Sequence, residues 1–95
     1  APESIQRRIA AAVRDADRGH GVLLLTDLYG STPANACMAL LEPDRVEVLC
    51  GVNLAMLIKL STSDRAHLGP GALAAMLLET GRRSIRLGSD MAPHR

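Results

Sequence analysis

The sequence predicts an α/β fold, a mainly parallel sheet with flanking helices. Three observations carry this. Short apolar runs alternate with longer segments of helical period, the pattern of βαβ units. Val22 to Leu25 is continuously apolar instead of alternating, which suits a strand covered on both faces. Two of the apolar runs lead directly into helix-start signals, as crossover connections between parallel strands require. At 95 residues the chain is one domain or part of one, with room for a single modest core.

The elements follow in order. Ser4 to Asp17 reads as an amphipathic helix: Ile5, Ile9, Ala12, Val13 and Ala16 share one face, with Arg7, Arg8, Arg14 and Asp15 on the other. Gly19 is a plausible stop. Gly21 to Asp27 is the first strand. In the turn after it, Thr32 is placed to cap a helix whose first turn accepts Pro33 without losing a hydrogen bond. That helix runs to about Leu41, with Ala34, Cys37, Met38 and Leu41 inward. Arg45 to Gly51 is the second strand, and Asn53 caps a helix from Leu54 to about Leu60. A polar loop over 61–70 precedes a helix from Gly71 to Thr80, ended by Gly81. Ser84 to Leu87 reads as a short third strand, followed by a loosely ordered tail from about Gly88.

Composition narrows the function classes. One Tyr and no Phe or Trp leave no stacking platform for single-stranded nucleic acid. A net charge of +1 gives no field to attract a polyanion, so no nucleic-acid partner is expected. No apolar run approaches the roughly 20 residues that span a bilayer, so no direct membrane insertion is expected. Cys37 and Cys50 fit no metal-ligand spacing and read as reduced, buried thiols, which points to a reducing, cytoplasmic setting without a metal or other cofactor. The opening Ala-Pro-Glu is not a signal peptide, and an upstream portion is expected to have been removed.

In open parallel sheets ligands bind beyond the carboxyl ends of the strands. Two loops lie there, 27–32 and 51–53. The first holds a carboxylate, a glycine, two hydroxyls and a helix start within six residues. Gly30 permits close backbone approach, Ser31 and Thr32 can donate to phosphate oxygens, and the helix start favours an anion. An ionised Asp27 cannot donate to phosphate; it suits fixing the tautomer and orientation of an imidazole. The same features also serve as a plain helix cap and a loop-satisfying aspartate, and no Gly-Lys-Ser/Thr follows to make a nucleotide P-loop.

Asp27-Leu28-Tyr29-Gly30-Ser31-Thr32-Pro33-Ala34-Asn35-Ala36 resembles the Asp-x-aromatic-Gly-Gly-Ser-Pro-x-Asn-Ala signature of mannose-type IIA proteins of the bacterial phosphoenolpyruvate:sugar phosphotransferase system. Gly51-Val52-Asn53-Leu54-Ala55-Met56-Leu57 resembles that family's Gly-Val-Asn-x-Pro-Met-Leu turn, and Glu79-Thr80-Gly81-Arg82 its Glu-x-Gly-Arg stretch. Ser31 stands where the family has Gly, and Ala55 where it has Pro. The phosphoryl carrier of dihydroxyacetone kinase shares the fold, but Pro33-Ala34-Asn35 favours the sugar branch.

The resemblance implies a phosphoryl relay from phospho-HPr to a IIB protein through a histidine. Asp27 would orient that histidine, Gly30, Ser31 and Thr32 would bind phosphate, and Leu28, Asn35 and Asn53 would form the rim. The family's histidine lies in a Thr-His-Gly motif that this chain does not contain. The expectation is therefore a single partial IIA-type domain over 1–95, its N-terminal strand-helix-strand missing, its last strand antiparallel and exchanged in a homodimer or other oligomer. His20 is no substitute, because the strand between it and Asp27 separates them by about 20 Å; His67 and His94 read as surface residues. The alternatives are a catalytically silent or regulatory interaction module of the same fold, and an unrelated anion-binding domain. Asp27 and Thr32 are expected on one cleft, with Asn53 at its rim.

Overall fold

The computed structural model of the chain describes residues 2–92. Its elements are α1 Pro2–Ala16, β1 Val22–Thr26, α2 Thr32–Met38, β2 Val46–Cys50, α3 Leu54–Thr62, α4 Pro70–Ser84 and α5 Gly88–Met91. The strands pair in parallel, from Val22 opposite Val46 to Thr26 opposite Cys50. Alternation along this register puts Leu23, Leu25 and Leu49 on one face and Val22, Leu24, Thr26, Val46 and Cys50 on the other. The first face packs into the core of Leu49, Met56 and Leu77, joined by Leu23, Leu25, Leu60 and Leu73. There α4 lies against both strands and α3 lies against α4. On the other face α2 touches both strands, and α1 packs on α2.

The helix starts follow from local chemistry. Asn53 caps α3 by accepting from the Met56 N–H at 3.1 Å. Its amide group donates to the Gly81 carbonyl at 3.3 Å and the Ser84 hydroxyl at 3.2 Å, tying the start of α3 to the end of α4. Pro70 opens α4, where its missing N–H costs nothing. Gly81 does not end α4 as the sequence suggests. It lies inside the helix, buried, and a Cβ there would collide with the Met56 side chain, so this glycine sets how closely α3 approaches.

Three further expectations are corrected. Ser31, not Thr32, caps α2; its hydroxyl accepts from the Ala34 N–H at 3.2 Å, which moves Pro33 to the second helical position. α2 stops at Met38, leaving Met38 and Leu41 exposed. Short bonds from Leu40 N–H to Cys37 and from Leu41 N–H to Met38 tighten its end, and the Glu42–Val46 bridge turns the chain back into β2. The third strand does not form in the single chain. Ser84 belongs to α4, and Ile85 and Leu87, 77% and 65% exposed, have no strand beside them to pair with. The tail contains the single turn α5, and His94 lies outside the described residues.

The radius of gyration, 15.6 Å, exceeds the roughly 12–13 Å of a compact domain this long. The sheet has only two strands among the described residues, so the outer edge of β1 carries no neighbour.

Candidate functional site

Both turns at the carboxyl end of the sheet are built alike. Each has a glycine in the left-handed region, Gly30 at φ 85° and Gly51 at φ 83°, which spares the chain the Cβ clash of other residues. Each then has an extended capping residue, Ser31 or Asn53, whose side chain accepts from the N–H three residues on. The first turn is pinned further: the Ser31 hydroxyl donates to the Leu28 carbonyl at 2.8 Å, and the Asn35 amide donates to the Gly30 carbonyl at 3.3 Å. These bonds raise Leu28 and Tyr29 into solvent, 64% and 78% exposed.

Beside this turn a cleft of about 670 Å³ opens between α1, β1 and α2. Its walls are apolar: Ile5, Ile9, Leu24 and Pro33 line it, with Cys37 and Val52. Two charged groups stand on it, Asp27 at the end of β1 and Arg8 on α1. The Asp27 carboxylate accepts no hydrogen bond and joins no ion pair among the described residues, so it is free to take a donor from a group placed in the cleft. Buried Thr26 adds a further polar side chain to the lining. Burial pushes the Cys37 thiol up, with neighbouring Cys50 adding to the shift, which keeps this thiol protonated and a poor nucleophile.

The expected site residues are distributed as follows. Asp27 lines the cleft; Thr32 lines a separate hollow with Gln6, Asn35 and Ala36. Both side chains are exposed on the same turn, five residues apart. The Thr32 hydroxyl and N–H have no partner among the described residues, whereas the Ser31 hydroxyl is already engaged as donor and acceptor. Asn53 is half-buried with its amide bonded to the scaffold, and Val52 rather than Asn53 reaches the cleft. Among the described residues no histidine lines the cleft. His20 stands before β1 at its other end, and His67 is exposed in the α3–α4 connection.

Arg8 is exposed, as the periodicity expects, and also borders the cleft. It sits three residues after Ile5 and four before Ala12, at the border of the apolar stripe, and that spacing marks it as a residue able to lean over the stripe. Among the described residues no three His, Cys, Asp or Glu side chains converge to hold a metal, and no helix is long and apolar enough to cross a membrane.

Residues 1–78 match the EIIA-man family model, described as PTS system fructose IIA component. The PTS system fructose-specific EIIA component of Bacillus subtilis (strain 168) is 32% identical over 89 residues, covering 93% of this chain and 60% of that protein. The PTS system mannose-specific EIIAB component of Escherichia coli (strain K12) is 29% identical over 85 residues, covering 88% of this chain and 26% of that protein. Among solved structures, the mannose/sorbose specific IIA subunit from Enterococcus faecalis superposes with a TM-score of 0.77 at 30% identity, over 92% of this chain and 64% of that one. Component EIIA from Streptococcus agalactiae gives 0.74 at 26% identity, over 95% of this chain and 69% of that one. The chain thus spans about 60% of the length of the Bacillus relative and about a quarter of the Escherichia one. With the Asp27 turn and the Asn53 cap both inside the matched residues, the chain belongs to the EIIA-man family, the mannose-type IIA components of the sugar phosphotransferase system.

Proposed function

We propose that these 95 residues supply one part of a phosphoryl-transfer site, the orienting aspartate and the phosphate-facing turn, for a histidine that lies outside them. The observation that carries this is the Asp27 carboxylate at the end of β1, which among the described residues has no partner and stands on a cleft without a histidine, in a chain of this family. In this reading the histidine enters beside β1. Asp27 accepts from one ring nitrogen, which fixes the tautomer and leaves the other nitrogen to carry the phosphoryl group. The Thr32 hydroxyl, with Gly30 and Ser31, faces the phosphate, Ser31 only by releasing the Leu28 carbonyl. Leu28 and Asn35 form the rim, and Asn53 supports it through the scaffold. The donor is phospho-HPr and the acceptor a IIB protein, a cytoplasmic exchange requiring no cofactor.

The edge of β1 gives the reading its geometry. The Val22 N–H donates to the Arg45 carbonyl at 2.7 Å, toward β2. Alternation then turns the N–H and C=O of Leu23 and Leu25 toward the free edge. An unpaired apolar edge takes another strand. Here that strand comes from the histidine-bearing segment, and in its absence from a second copy of the chain, giving a homodimer or larger oligomer.

The test is a chimera with the N-terminal segment of the Bacillus relative joined ahead of residue 1. Supplied with phosphoenolpyruvate, Enzyme I and HPr, it should carry phosphate on the added histidine. Asp27→Asn should slow the transfer by about 10–100-fold, the usual effect of removing an imidazole's orienting partner. A chimera that folds, binds HPr and stays unphosphorylated would instead establish a silent interaction module.

A further inference from the structure

At the other end of the sheet, where β1 begins, a second hollow of about 710 Å³ lies between the α1–β1 and α3–α4 connections. Its size is that of a small-molecule site, about 300–1,000 Å³. Arg18 and His20 line it from the first connection, and Ser63, Asp64 and Arg65 from the second. From this geometry we infer that the hollow is a binding site for a phosphorylated polyol, with the phosphate held by Arg18, His20 and Arg65 and the hydroxyls by Ser63 and Asp64.

The case rests on which charges are already matched. The α1–β1 connection is held by Asp17, whose carboxylate accepts from the N–H groups of Gly19 at 2.8 Å and Gly21 at 3.2 Å and pairs with Arg45 at 2.8 Å. Arg18 and His20 alternate with these two glycines, so the bonds that fix the backbone also fix where both basic side chains start. Across the hollow, Asp64 accepts from the Ala66 N–H at 3.0 Å through one carboxylate oxygen, and the Arg65 carbonyl accepts from Leu68 at 3.1 Å. The side chains of Arg18, His20 and Arg65 have no hydrogen-bond or ion-pair partner among the described residues.

Helix ends offer a simpler role, since cations are favoured near helix C-termini. α1 and α3 both end beside this hollow, yet neither arginine bonds a helix-end carbonyl. The guanidinium fork matches phosphate oxygens, and two forks facing one opening suit a dianion. Asp64 opposes an anion directly beside it. Its second oxygen instead suits a hydroxyl donor, and this is why the ligand carries both groups. The five residues of β1 separate Gly21 at the hollow from Asp27 by about 20 Å, so the site is distinct from the cleft.

The test is an amide-resolved NMR titration of the 95-residue chain with glucose 6-phosphate, glucose and inorganic phosphate in parallel. The expected result is saturable shifts at 18–21 and 63–66 with glucose 6-phosphate, none at 27–35, weaker binding of inorganic phosphate and none of glucose. Arg18→Ser and Arg65→Ser should each weaken glucose 6-phosphate about tenfold, the loss of one charge-assisted bond. Asp64→Asn should weaken glucose 6-phosphate but not inorganic phosphate. Absence of saturable shifts at 18–21 and 63–66 overturns the site, as does binding unchanged in well-folded arginine variants. Inorganic phosphate binding as tightly as glucose 6-phosphate overturns the assignment of a polyol. The three-probe titration of the unsubstituted chain decides the matter even where a variant fails to fold.

Discussion

β1 and β2 have the same length and are paired residue for residue, yet they are buried unequally. Val46 and Leu49 of β2 are buried, while the four apolar residues of the leucine-rich β1 are only half-buried. Composition does not explain this, because β1 is the more apolar of the two. Neighbours do. Leu49 meets the α3–α4 layer, where Leu77 is fully buried, whereas Leu24 faces the cleft under α1. A strand with the sequence of an inner strand lies at an edge of a two-stranded sheet, and Asp27 follows its end.

The sharpest way to break the comparison is truncation on each side. Leu77→Ala empties a closed site and should cost about 3–5 kcal/mol, enough to unfold most of a chain this small. Leu24→Ala borders space that is already open and should cost only about 1 kcal/mol. Urea unfolding followed by circular dichroism checks both, and equal losses would mean that the cleft is closed in solution.

A smaller effect concerns how the packed side is tied. Asn53→Ala removes a helix cap and the two bonds to the end of α4, for about 1–2 kcal/mol in the same assay. Asn53→Asp keeps the cap acceptor and loses the donors, so it should recover most of the cap's share. Recovery by Asp of nothing at all would mean that the α4 bonds, not the cap, hold this corner.

Much of this was legible in the sequence because the signals are local. The apolar run 22–25, the Asn53 cap and the glycine turns need only their neighbours to be read. Asp27 was legible as a strand-end carboxylate, and the family resemblance gave it a task. The misses needed tertiary knowledge. Gly81 has the spacing of a helix stop, but the approach of Met56 gives it a different task. Ser84–Leu87 has strand composition, but a strand exists only beside another strand. Arg8 is exposed as its period predicts, but period alone does not say that the stripe beside it borders a cleft instead of a closed core.

The weakest effect separates the two ends of β1. The N–H groups of Gly19 and Gly21, aided by Arg45, hold the Asp17 carboxyl below its usual range against the opposing effect of burial. A carboxylate depressed in the folded state stabilises above its unfolded pKa, and that stabilisation is lost as pH falls through the folded value. The melting temperature of Asp17→Asn should therefore lie below that of the unsubstituted chain at neutral pH, and the gap should close as the medium becomes strongly acidic. A gap independent of pH would remove charge from the explanation of this loop.

The central claim is that the phosphoryl-transfer site is divided, with the aspartate here and the histidine elsewhere. The direct measurement is to incubate the 95-residue chain with phosphoenolpyruvate, Enzyme I and HPr, then map phosphate by mass spectrometry under conditions that preserve phosphohistidine. No phosphate on His20, His67 or His94 is predicted, because His20 and Asp27 lie at opposite ends of one strand and no histidine among the described residues lines the cleft. Stoichiometric phosphate on any of the three would contradict the account, since a complete site would then exist within these residues.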